Sequence, residues 1–277
     1  MEDTTYLFID GQYLQTVYRD LIWNDYGSSH EIDFDRLRGN GVARRAFYYD
    51  CLDDNQKPNE TETDFQARVQ AQEAYLDSIN AMEGFHVRKG YLAQGRRGRE
   101  QKEVDVLLAV DMMVHSFNRT MTKAVLIAGD RDFKPVVEAV TRQGTYVEVW
   151  YRPKTGSAEL GRVADLVKPL QISTLVSWVK HEGLEAEGLP STQRFVNDDQ
   201  LCPPEALLKR GIVQLSQQTM RLAYDKGRYI VDVFRGRVYD CRHTFHDLPL
   251  LEKFLVEEYG EITWRDVRDD TSTAKQD

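Results

Sequence analysis

Short apolar runs and segments of helical periodicity alternate along residues 1–170. Apolar runs of this length are typical of buried strands, and apolar residues that recur every three or four positions predict amphipathic helices. Strands that alternate with helices pair in parallel through right-handed crossovers, so the pattern predicts an α/β fold, a three-layer α/β/α sandwich with a mainly parallel sheet. The predicted strands cover residues 6–9, 42–49, 84–93, 123–128, 146–151 and 166–170.

The predicted helices lie between these strands. One follows the first strand, and a second, amphipathic helix covers residues 63–82. The segment 104–117 is apolar on most sides, which predicts a largely buried helix. A further helix over residues 132–143 ends at Gly144, a typical C-cap residue. The segment 94–103 is rich in glycine and arginine and has no apolar period, so we expect a loop there.

The alternation of strands and helices stops after residue 171. Four elements are predicted in the remaining chain: a helix at 174–187, a polar loop with prolines at 188–204, a hairpin that turns at Arg235-Gly236 and a helix at 248–258. We therefore predict three parts, which are an α/β domain at 1–171, a small α+β domain at 172–265 and a disordered tail at 266–277. We find no internal repeat.

The composition is that of a globular chain without a membrane span. The chain has 277 residues, 41% hydrophobic and 29% charged, and no window reaches the roughly 18 apolar residues that a span needs. The start of the chain has no basic segment typical of a signal peptide, so we expect a cytoplasmic protein. Three widely spaced cysteines support neither a disulfide framework nor a zinc cluster. The net charge of −9 argues against binding nucleic acid by bulk electrostatics but leaves room for a local basic patch.

Acidic residues follow two of the predicted strands. Asp10 comes after the first strand, and Asp130 and Asp132 follow the fourth in the stretch LIAGDRDF. Asp105 lies in the first turn of the helix at 104–117. Ligands of parallel sheets gather at the carboxyl ends of the strands, so these four carboxylates could converge on Mg²⁺ or Mn²⁺, which prefer oxygen ligands. We expect Gly129 to let the backbone turn sharply so that Asp130 faces the cation.

Helix capping is the alternative interpretation of the same acids. Asp10 precedes a helix and could be its N-cap, Asp132 could cap the helix that follows it, and Asp105 could be an exposed first-turn acid.

A metal site formed by the four carboxylates would activate a water for attack on a phosphodiester and needs no serine, cysteine or histidine nucleophile. The sequence contains no nucleophile elbow, HExxH motif, P-loop or GxGxxG motif.

Four segments, in order along the chain, resemble the NYN domain of the LabA-like branch, a PIN-like nuclease family. They are LFIDG, KEVDVLLAVDM, VLIAGDRDFKPVVEAVTRQGTYVEV and SAELGRVADLVKPL, and the resemblance covers about residues 5–170. It implies a PIN-like, Rossmann-like domain and a metal-dependent ribonuclease site with Asp10, Asp105, Asp130 and Asp132 as catalytic metal ligands.

The resemblance also implies roles for two more residues of the helix segment and exposes one departure. Lys102 matches the basic residue before the helix acid and would hold a scissile phosphate, and Asp111 matches a second acid of that helix and would have a supporting role. The family usually has asparagine where this chain has Tyr13, in DGQYL. The expected asparagine helps to organise such a site, whereas all the acids are present here.

Three arginines in the segment 94–103 have two possible interpretations. Arg96, Arg97 and Arg99 could guide RNA phosphates to the site or belong to a solvated surface loop.

His86 and His115 are expected to be structural, as are Tyr48, Tyr49 and Tyr91. His243 and His246 suggest a metal pair, but only Cys241 and Asp247 lie near them in the sequence.

The sequence therefore leads to a metal-dependent endoribonuclease as the first hypothesis, with RNA, single-stranded or structured, as its partner. The alternatives are an NYN-fold protein that binds RNA or a partner without turnover, and a phosphoesterase for small nucleotides. The C-terminal domain could supply RNA specificity, a homo-oligomer interface or a docking surface.

Overall fold

The computed structural model describes residues 3–39, 41–53, 55–90, 92–95, 98–101, 104–181, 187–194, 201–202 and 204–267, with the backbone alone for 92–95 and 98–101. The chain forms two compact units. Met1–Asp20 and Asp33–Leu170 make the first, and Leu21–Ile32 and Gln171–Asp277 make the second.

The helices of the described residues vary from single turns to five turns. They are α1 Gly11–Tyr18, α2 Asn24–Tyr26, α3 Phe34–Leu37, α4 Glu62–Asn80, α5 Val104–Phe117, α6 Lys134–Arg142, α7 Ala158–Gly161, α8 Ile172–Ser177 and α9 Leu248–Tyr259. A π-helical turn, Arg19–Trp23, follows α1, and a 3₁₀ turn, Arg131–Phe133, precedes α6. None of the described helices is long and apolar enough to cross a membrane.

A parallel sheet of six strands forms the centre of the first unit. The strands of this unit are β1 Thr5–Asp10, β2 Ala43–Cys51, β3 Phe85–Gly90, β4 Leu92–Gly95, β5 Gly98–Gln101, β6 Lys123–Ile127, β7 Tyr146–Tyr151 and β8 Leu166–Pro169. The sheet order is β3-β2-β1-β6-β7-β8, and all its neighbours pair in parallel. The predicted α/β fold is therefore confirmed.

Helices cover both faces of this sheet and bury its apolar side chains. On one face Phe8 and Leu126 pack in a core cluster with Leu108 of α5 and Val137 of α6. On the other face the ring of Phe34, in α3, lies 5.7 Å from that of Tyr48 and also contacts α4. Burial of apolar surface on both faces accounts for the continuous apolar runs of β1 and β6.

Two predictions for the first unit were wrong. The segment 94–103 is not a plain loop, because β4 and β5 pair there as an antiparallel hairpin with Gly95 opposite Gly98. Backbone pairing needs no apolar periodicity, so the pattern gave no signal of it. Helix α5 is not largely buried. Its buried residues lie on one side, and Val106, Val110, Met113, Val114 and Phe117 are between 38% and 59% exposed.

The second unit contains an antiparallel sheet of six strands. These are β9 Ser191–Gln193, β10 Leu207–Val213, β11 Thr219–Asp225, β12 Arg228–Arg235, β13 Val238–Phe245 and β14 Ile262–Asp266, in the order β14-β10-β11-β12-β13-β9. The hairpin predicted at Arg235-Gly236 is formed by β12 and β13. The predicted helix at 248–258 is α9.

Three predictions in this part of the chain need correction. The predicted helix at 174–187 is the shorter α8, which ends at Ser177, and part of that range lies outside the described residues. The predicted loop at 188–204 contributes β9, which pairs with β13. The predicted tail began at Asp266, but Asp266 ends β14, and residues 268–277 lie outside the described part. Long-range pairing, which leaves no local pattern, explains the two strands that were not predicted, β9 and β14.

Candidate active site at the strand ends

Asp10 ends β1 and caps the helix that follows it, as one of the two interpretations of the sequence predicted. Its Oδ1 accepts a hydrogen bond from the backbone N–H of Tyr13 at 3.0 Å, so it is the N-cap of α1. Burial, with a smaller contribution from the nearby charges of Asp105, Asp50 and Asp130, raises the pKa of its carboxyl group to about 6, although the bond from Tyr13 lowers it. A purely structural cap would gain from its helix, whereas this carboxylate is also destabilised by other carboxylates.

Asp130 and Asp132 follow β6, the neighbour of β1. Ile9 pairs with Ile127, so the residues after the two strands leave the sheet side by side. The Oδ1 of Asp130 accepts a hydrogen bond from the N–H of Asp132 at 2.9 Å and caps the 3₁₀ turn. The alternative in which Asp132 caps the following helix is wrong, because α6 has no side-chain cap. Both aspartates are exposed at the sheet edge.

Asp105 supplies a carboxylate from a third segment. It lies in the first turn of α5 and is exposed. Partial burial raises the pKa of its carboxyl group, and the charges of Asp130 and Asp132 raise it as well. These mutual effects mean that the acids of β1, α5 and the turn after β6 lie within electrostatic range of one another.

Asp50 is an acid that the sequence interpretation missed. It lies near the carboxyl end of β2, next to β1, where Asp10 is opposite Tyr49. It is 8% exposed, its Oδ1 accepts a hydrogen bond from the N–H of Cys51 at 2.8 Å, and burial raises its pKa to about 6. The signal was present, because Asp50 directly follows an apolar strand at the same sheet edge. We call Asp10, Asp50, Asp105, Asp130 and Asp132 the strand-end carboxylates.

The carboxylate of Asp111 accepts hydrogen bonds that hold parts of the fold together. Its Oδ2 accepts hydrogen bonds from the hydroxyl of Tyr49 and from Nε of Arg88, both at 3.0 Å. The contacts tie α5 to β2 and β3. The predicted supporting role of Asp111 is consistent with these contacts, which hold the helix that carries Asp105.

Tyr13 and Gly129 contact each other directly, and this changes the expected reason for the glycine. Gly129 does not have a positive φ angle, so it makes no left-handed turn. A Cβ atom at this position would lie 2.5 Å from Cε2 of Tyr13. The Tyr13 hydroxyl accepts a hydrogen bond from the N–H of Arg152 at 2.9 Å. Position 129 therefore requires glycine because the Tyr13 ring lies against it. Through this contact Tyr13 links the turn after β1 to the turn after β6.

The predicted phosphate-binding residues can be placed only in part. Lys102, Arg96 and Arg97 lie outside the described residues, and for Arg99 only the backbone, in β5, is described. The structure instead reveals a basic groove that the sequence interpretation missed. It has a volume of about 260 Å³, and its polar lining comes from Arg45, Asn80, His86, Arg88 and His115.

The two histidines of this groove have structural contacts, as the sequence suggested. The ring of His86 stacks on Phe47 with 5.2 Å between centroids, and Nδ1 of His115 lies 3.0 Å from the hydroxyl of Thr120. Burial lowers the pKa of both imidazoles, and the charges of Arg45 and Arg88 lower them further. Both rings therefore favour the neutral form in a groove whose positive charge comes from arginine.

The suggested metal pair in the second unit is not supported. His243 is buried, with Nε2 at 2.6 Å from the hydroxyl of Tyr259 and Nδ1 at 2.9 Å from that of Thr192. Both ring nitrogens thus have protein partners. Within the described part of the chain, no three His, Cys, Asp or Glu side chains form a cluster ready to hold a metal.

The strand-end carboxylates nevertheless fit a magnesium-type ion by the chemistry of their donors. They are hard oxygen donors whose mutual repulsion a cation would relieve. Mg²⁺ usually keeps several waters and takes one or two protein carboxylates together with substrate phosphate. A pair of these aspartates, completed by water and phosphate, meets that requirement without a preformed cluster of three.

The fold and the acidic strand ends define a class of PIN-like α/β domain. The chain belongs to the NYN domain family, whose model matches residues 4–170, and NYN is a PIN-like nuclease domain. No curated protein matches the chain significantly. A crystal structure of a protein of unknown function from Vibrio parahaemolyticus is similar, with a TM-score of 0.45 and 17% identity over 64% of this chain and 96% of that one. That likeness is too distant to support any argument.

Proposed function

We propose that this protein is a divalent-metal-dependent endoribonuclease. In this proposal Asp10, Asp105, Asp130 and Asp132 hold Mg²⁺ or Mn²⁺, and Asp50 is an additional acid of the same site. The observation that supports it best is the position of Asp10 at the end of β1, beside the end of β6 that Asp130 and Asp132 follow, where neighbouring carboxylates add to the effect of burial on the Asp10 pKa. Capping accounts for Asp10 and Asp130 one by one, but it leaves the repulsion among the acids in place, and a bound cation would relieve that repulsion.

The residues of the chain would have separate tasks. A bound divalent ion would stabilise the charge on the scissile phosphate as a Lewis acid. It would also lower the pKa of a bound water, which makes that water a better nucleophile towards the phosphate. Asp10 is fixed by its capping bond to Tyr13, and Asp130 is fixed by its bond to the N–H of Asp132. Because these bonds preorganise the carboxylates, little reorganisation is needed when substrate binds.

RNA as the substrate is supported by the basic groove. Arg45, His86 and His115 place this groove at the beginnings of β2 and β3 and near the end of α5, so the length of α5 separates it from Asp105 at the helix start. A second recess of about 350 Å³ shares Arg88 with it and is lined also by Lys89 and Asp77, which form an ion pair at 2.8 Å. Guanidinium groups bind phosphate oxygens through two parallel hydrogen bonds, which suits the backbone of an RNA chain.

Cleavage of labelled RNA by the purified full chain tests this proposal. Single-stranded and structured RNAs are incubated with Mg²⁺, Mn²⁺ or EDTA, beside the variants Asp130→Asn and Asp35→Asn. Loss of one electrostatic stabiliser of a transition state costs about 100-fold or more in rate, and we expect that loss in Asp130→Asn. Asp35 is exposed on α3, so Asp35→Asn is the matched control and should cleave at the wild-type rate.

Thermal unfolding supplies a second readout that needs no turnover. Millimolar Mg²⁺ should raise the unfolding temperature of the wild type, because it relieves repulsion in the folded state, and should have a smaller effect on Asp10→Asn. If the wild type cleaves no RNA with any metal and binds RNA normally, the protein is a binding module. If it hydrolyses only small nucleotide phosphoesters, the phosphoesterase alternative is correct.

A further inference from the structure

The outer side of helix α5 is apolar along its length. After Asp105, every exposed side chain of the helix is apolar. The buried side, which includes Leu108 and Met112, packs in the core of the first unit. The helix therefore has a second apolar side that faces away from its own core. The residues of this side, which we call the α5 stripe, are between 38% and 59% exposed and are Val106, Val110, Met113, Val114 and Phe117.

Helix α4 of the same unit has a different kind of exposed side, which carries Glu62, Asp64, Gln66, Glu73 and Asp77. Charged residues make up 29% of the chain, whereas the α5 stripe contains none. Single exposed apolar side chains are normal on protein surfaces. The α5 stripe is instead a contiguous patch of roughly 400 Å², which equals the largest patch of a typical monomer. A patch of this size indicates an interaction surface.

The spacing of the stripe is the same in both directions along the helix. Val106, Val110, Met113 and Phe117 follow one another at intervals of four, three and four residues, which is the pattern of helices that pack side by side. When a second copy of α5 is placed antiparallel to the first, Val106 lies opposite Phe117 and Val110 lies opposite Met113. Each of these residues then meets an apolar residue of the other copy, as a two-fold symmetric interface requires.

The two ends of α5 carry opposite charges. Asp105 lies at the start of the helix, within electrostatic range of Asp130 and Asp132. Arg119 is exposed just beyond the end of the helix, and the exposed Arg45 lines the basic groove near that end. A parallel pair of helices would bring like charges together, whereas an antiparallel pair brings the acidic end of each copy to the level of the basic end of the other. Charge complementarity therefore favours the antiparallel arrangement.

The α5 stripe is large enough for a weak dimer. The helix has 14 residues, so the stripe extends over about 20 Å. Two copies that pack stripe against stripe remove roughly 800 Å² of apolar surface from water, and their partly buried neighbours Leu107 and Ala109 raise the total to about 1,000 Å². This area is the lower limit of a biological interface, so we expect a dissociation constant of about 1–100 μM.

We propose that the protein forms a two-fold symmetric homodimer in which the α5 stripes of two copies pack against each other in antiparallel orientation. A second copy of this chain is thus the partner that covers the stripe. The inference goes beyond the proposed function, because it requires neither a metal ion nor RNA. In the dimer, Asp105 of each copy and Arg119 of the other lie at the same end of the helix pair.

Sedimentation equilibrium of the full chain in EDTA tests this inference. The wild type, measured from about 1 to about 200 μM, should show an equilibrium between monomer and dimer. The test variant Val110→Lys places a charge in the middle of the stripe and should raise the dissociation constant at least about tenfold. Val238→Lys is the matched control, because Val238 is 71% exposed in the hairpin of β12 and β13, and it should change the constant less than about twofold.

Two charge-pair variants of equal net charge test the antiparallel register. In Val110→Lys, Met113→Glu each new lysine lies opposite a new glutamate of the other copy. In Val106→Lys, Met113→Glu the lysine lies opposite Phe117 instead. The first variant should therefore dimerise at least about tenfold more tightly than the second. All substituted residues are exposed in the monomer, and far-ultraviolet circular dichroism checks that each variant is folded.

A wild type that stays monomeric at about 200 μM would overturn the inference, and the α5 stripe would then be the surface for a different partner. A dimer that Val110→Lys leaves unchanged would also overturn it, because the copies would associate through another surface. Equal dimerisation of the two charge-pair variants would contradict the antiparallel register. None of these results affects the proposed nuclease function, which cleavage of RNA tests separately.

Discussion

Two groups of titratable side chains, one in each unit, have opposite electrostatic surroundings. The strand-end carboxylates gather like charges, and burial with neighbouring carboxylates raises the pKa of Asp10 to about 6. In the second unit, Asp232 and Arg242 pair opposite charges through two hydrogen bonds, and both ring nitrogens of His243 have partners. We call Asp232, Arg242 and His243 the paired cluster.

The comparison teaches that burial of a titratable group does not by itself mark a functional site. The paired cluster is more deeply buried than Asp105 or Asp130, yet its requirements are met within the protein. The strand-end carboxylates share a repulsion that the chain leaves in place. Electrostatic conflict that remains in the folded state indicates a missing partner, and paired charges indicate architecture. Four experiments can break or sharpen this distinction.

The largest effect is expected from removal of one member of the buried pair. Asp232→Ala leaves the Arg242 guanidinium buried without its carboxylate, which should lower the free energy of unfolding by about 3–5 kcal/mol in urea denaturation. The double variant Asp232→Leu, Arg242→Met is the matched control, and its stability should lie close to that of the wild type. A single variant as stable as the wild type would remove the contrast between the two groups.

The pH dependence of the second unit follows from His243. Burial lowers the pKa of its imidazole from 6.5 to about 4, so between these values the unfolded chain binds a proton that the folded chain does not. The contribution of neutral His243 to the free energy of unfolding is fully present above pH 6.5. It is lost as the pH falls towards 4, which lowers that free energy by about 3 kcal/mol. Urea denaturation at several pH values measures this loss.

His243→Gln is the control for this experiment, and it should remove most of the slope between pH 6.5 and 4. An unchanged slope in the variant would assign the pH dependence to other groups and weaken the description of the paired cluster.

The opposite sign is expected for Asp50. Its folded pKa of about 6 lies above the ordinary value of 3.8, so the free energy of unfolding falls as the pH rises between these values, and the full penalty is present above pH 6. Asp50→Asn should therefore raise the free energy of unfolding by about 2 kcal/mol at pH 7.5 in EDTA. Destabilisation by this substitution would show that Asp50 belongs to the architecture, as Asp232 does.

The smallest effect concerns the contact between Tyr13 and Gly129. A Cβ at position 129 would meet the Tyr13 ring, so Gly129→Ala should destabilise the protein by about 1 kcal/mol or slightly more. In the Tyr13→Asn background, which restores the usual residue of the family, the same substitution should cost almost nothing. A double-mutant cycle by thermal unfolding measures the coupling, and additive effects would contradict the contact.

The first unit could be predicted from the sequence because its elements are local. The central strands β1 and β6 are apolar runs, α6 has a clear helical periodicity, and Asp10 and Asp130 lie just where those two runs end. Asp50 escaped notice because a long polar stretch follows it, and only the pairing of β2 with β1 brings it beside Asp10. The exposed side of α5 was also unpredictable, since apolar residues alone do not reveal which side a sheet will cover.

The second unit was less predictable because its order depends on pairing between distant segments. The hairpin of β12 and β13 was visible through its glycine turn, but the pairing of β10 with β14 joins residues about fifty positions apart. Only that register places Arg265, Arg210 and Arg221 opposite one another on neighbouring strands. In the sequence they are single arginines in unrelated surroundings.

The segment Leu21–Ile32 has a consequence for where the chain can be cut. It lies within the residues that match the NYN domain, yet it groups with the second unit. The Tyr26 hydroxyl donates to the carbonyl of Leu250, Asp25 pairs with Lys253, and Ile32 bridges to Val179. A chain that ended near residue 170 would leave this segment without those partners. We therefore expect truncation near residue 170 to destabilise the matched domain itself, so the end of the family match is not a position at which the chain can be cut without cost.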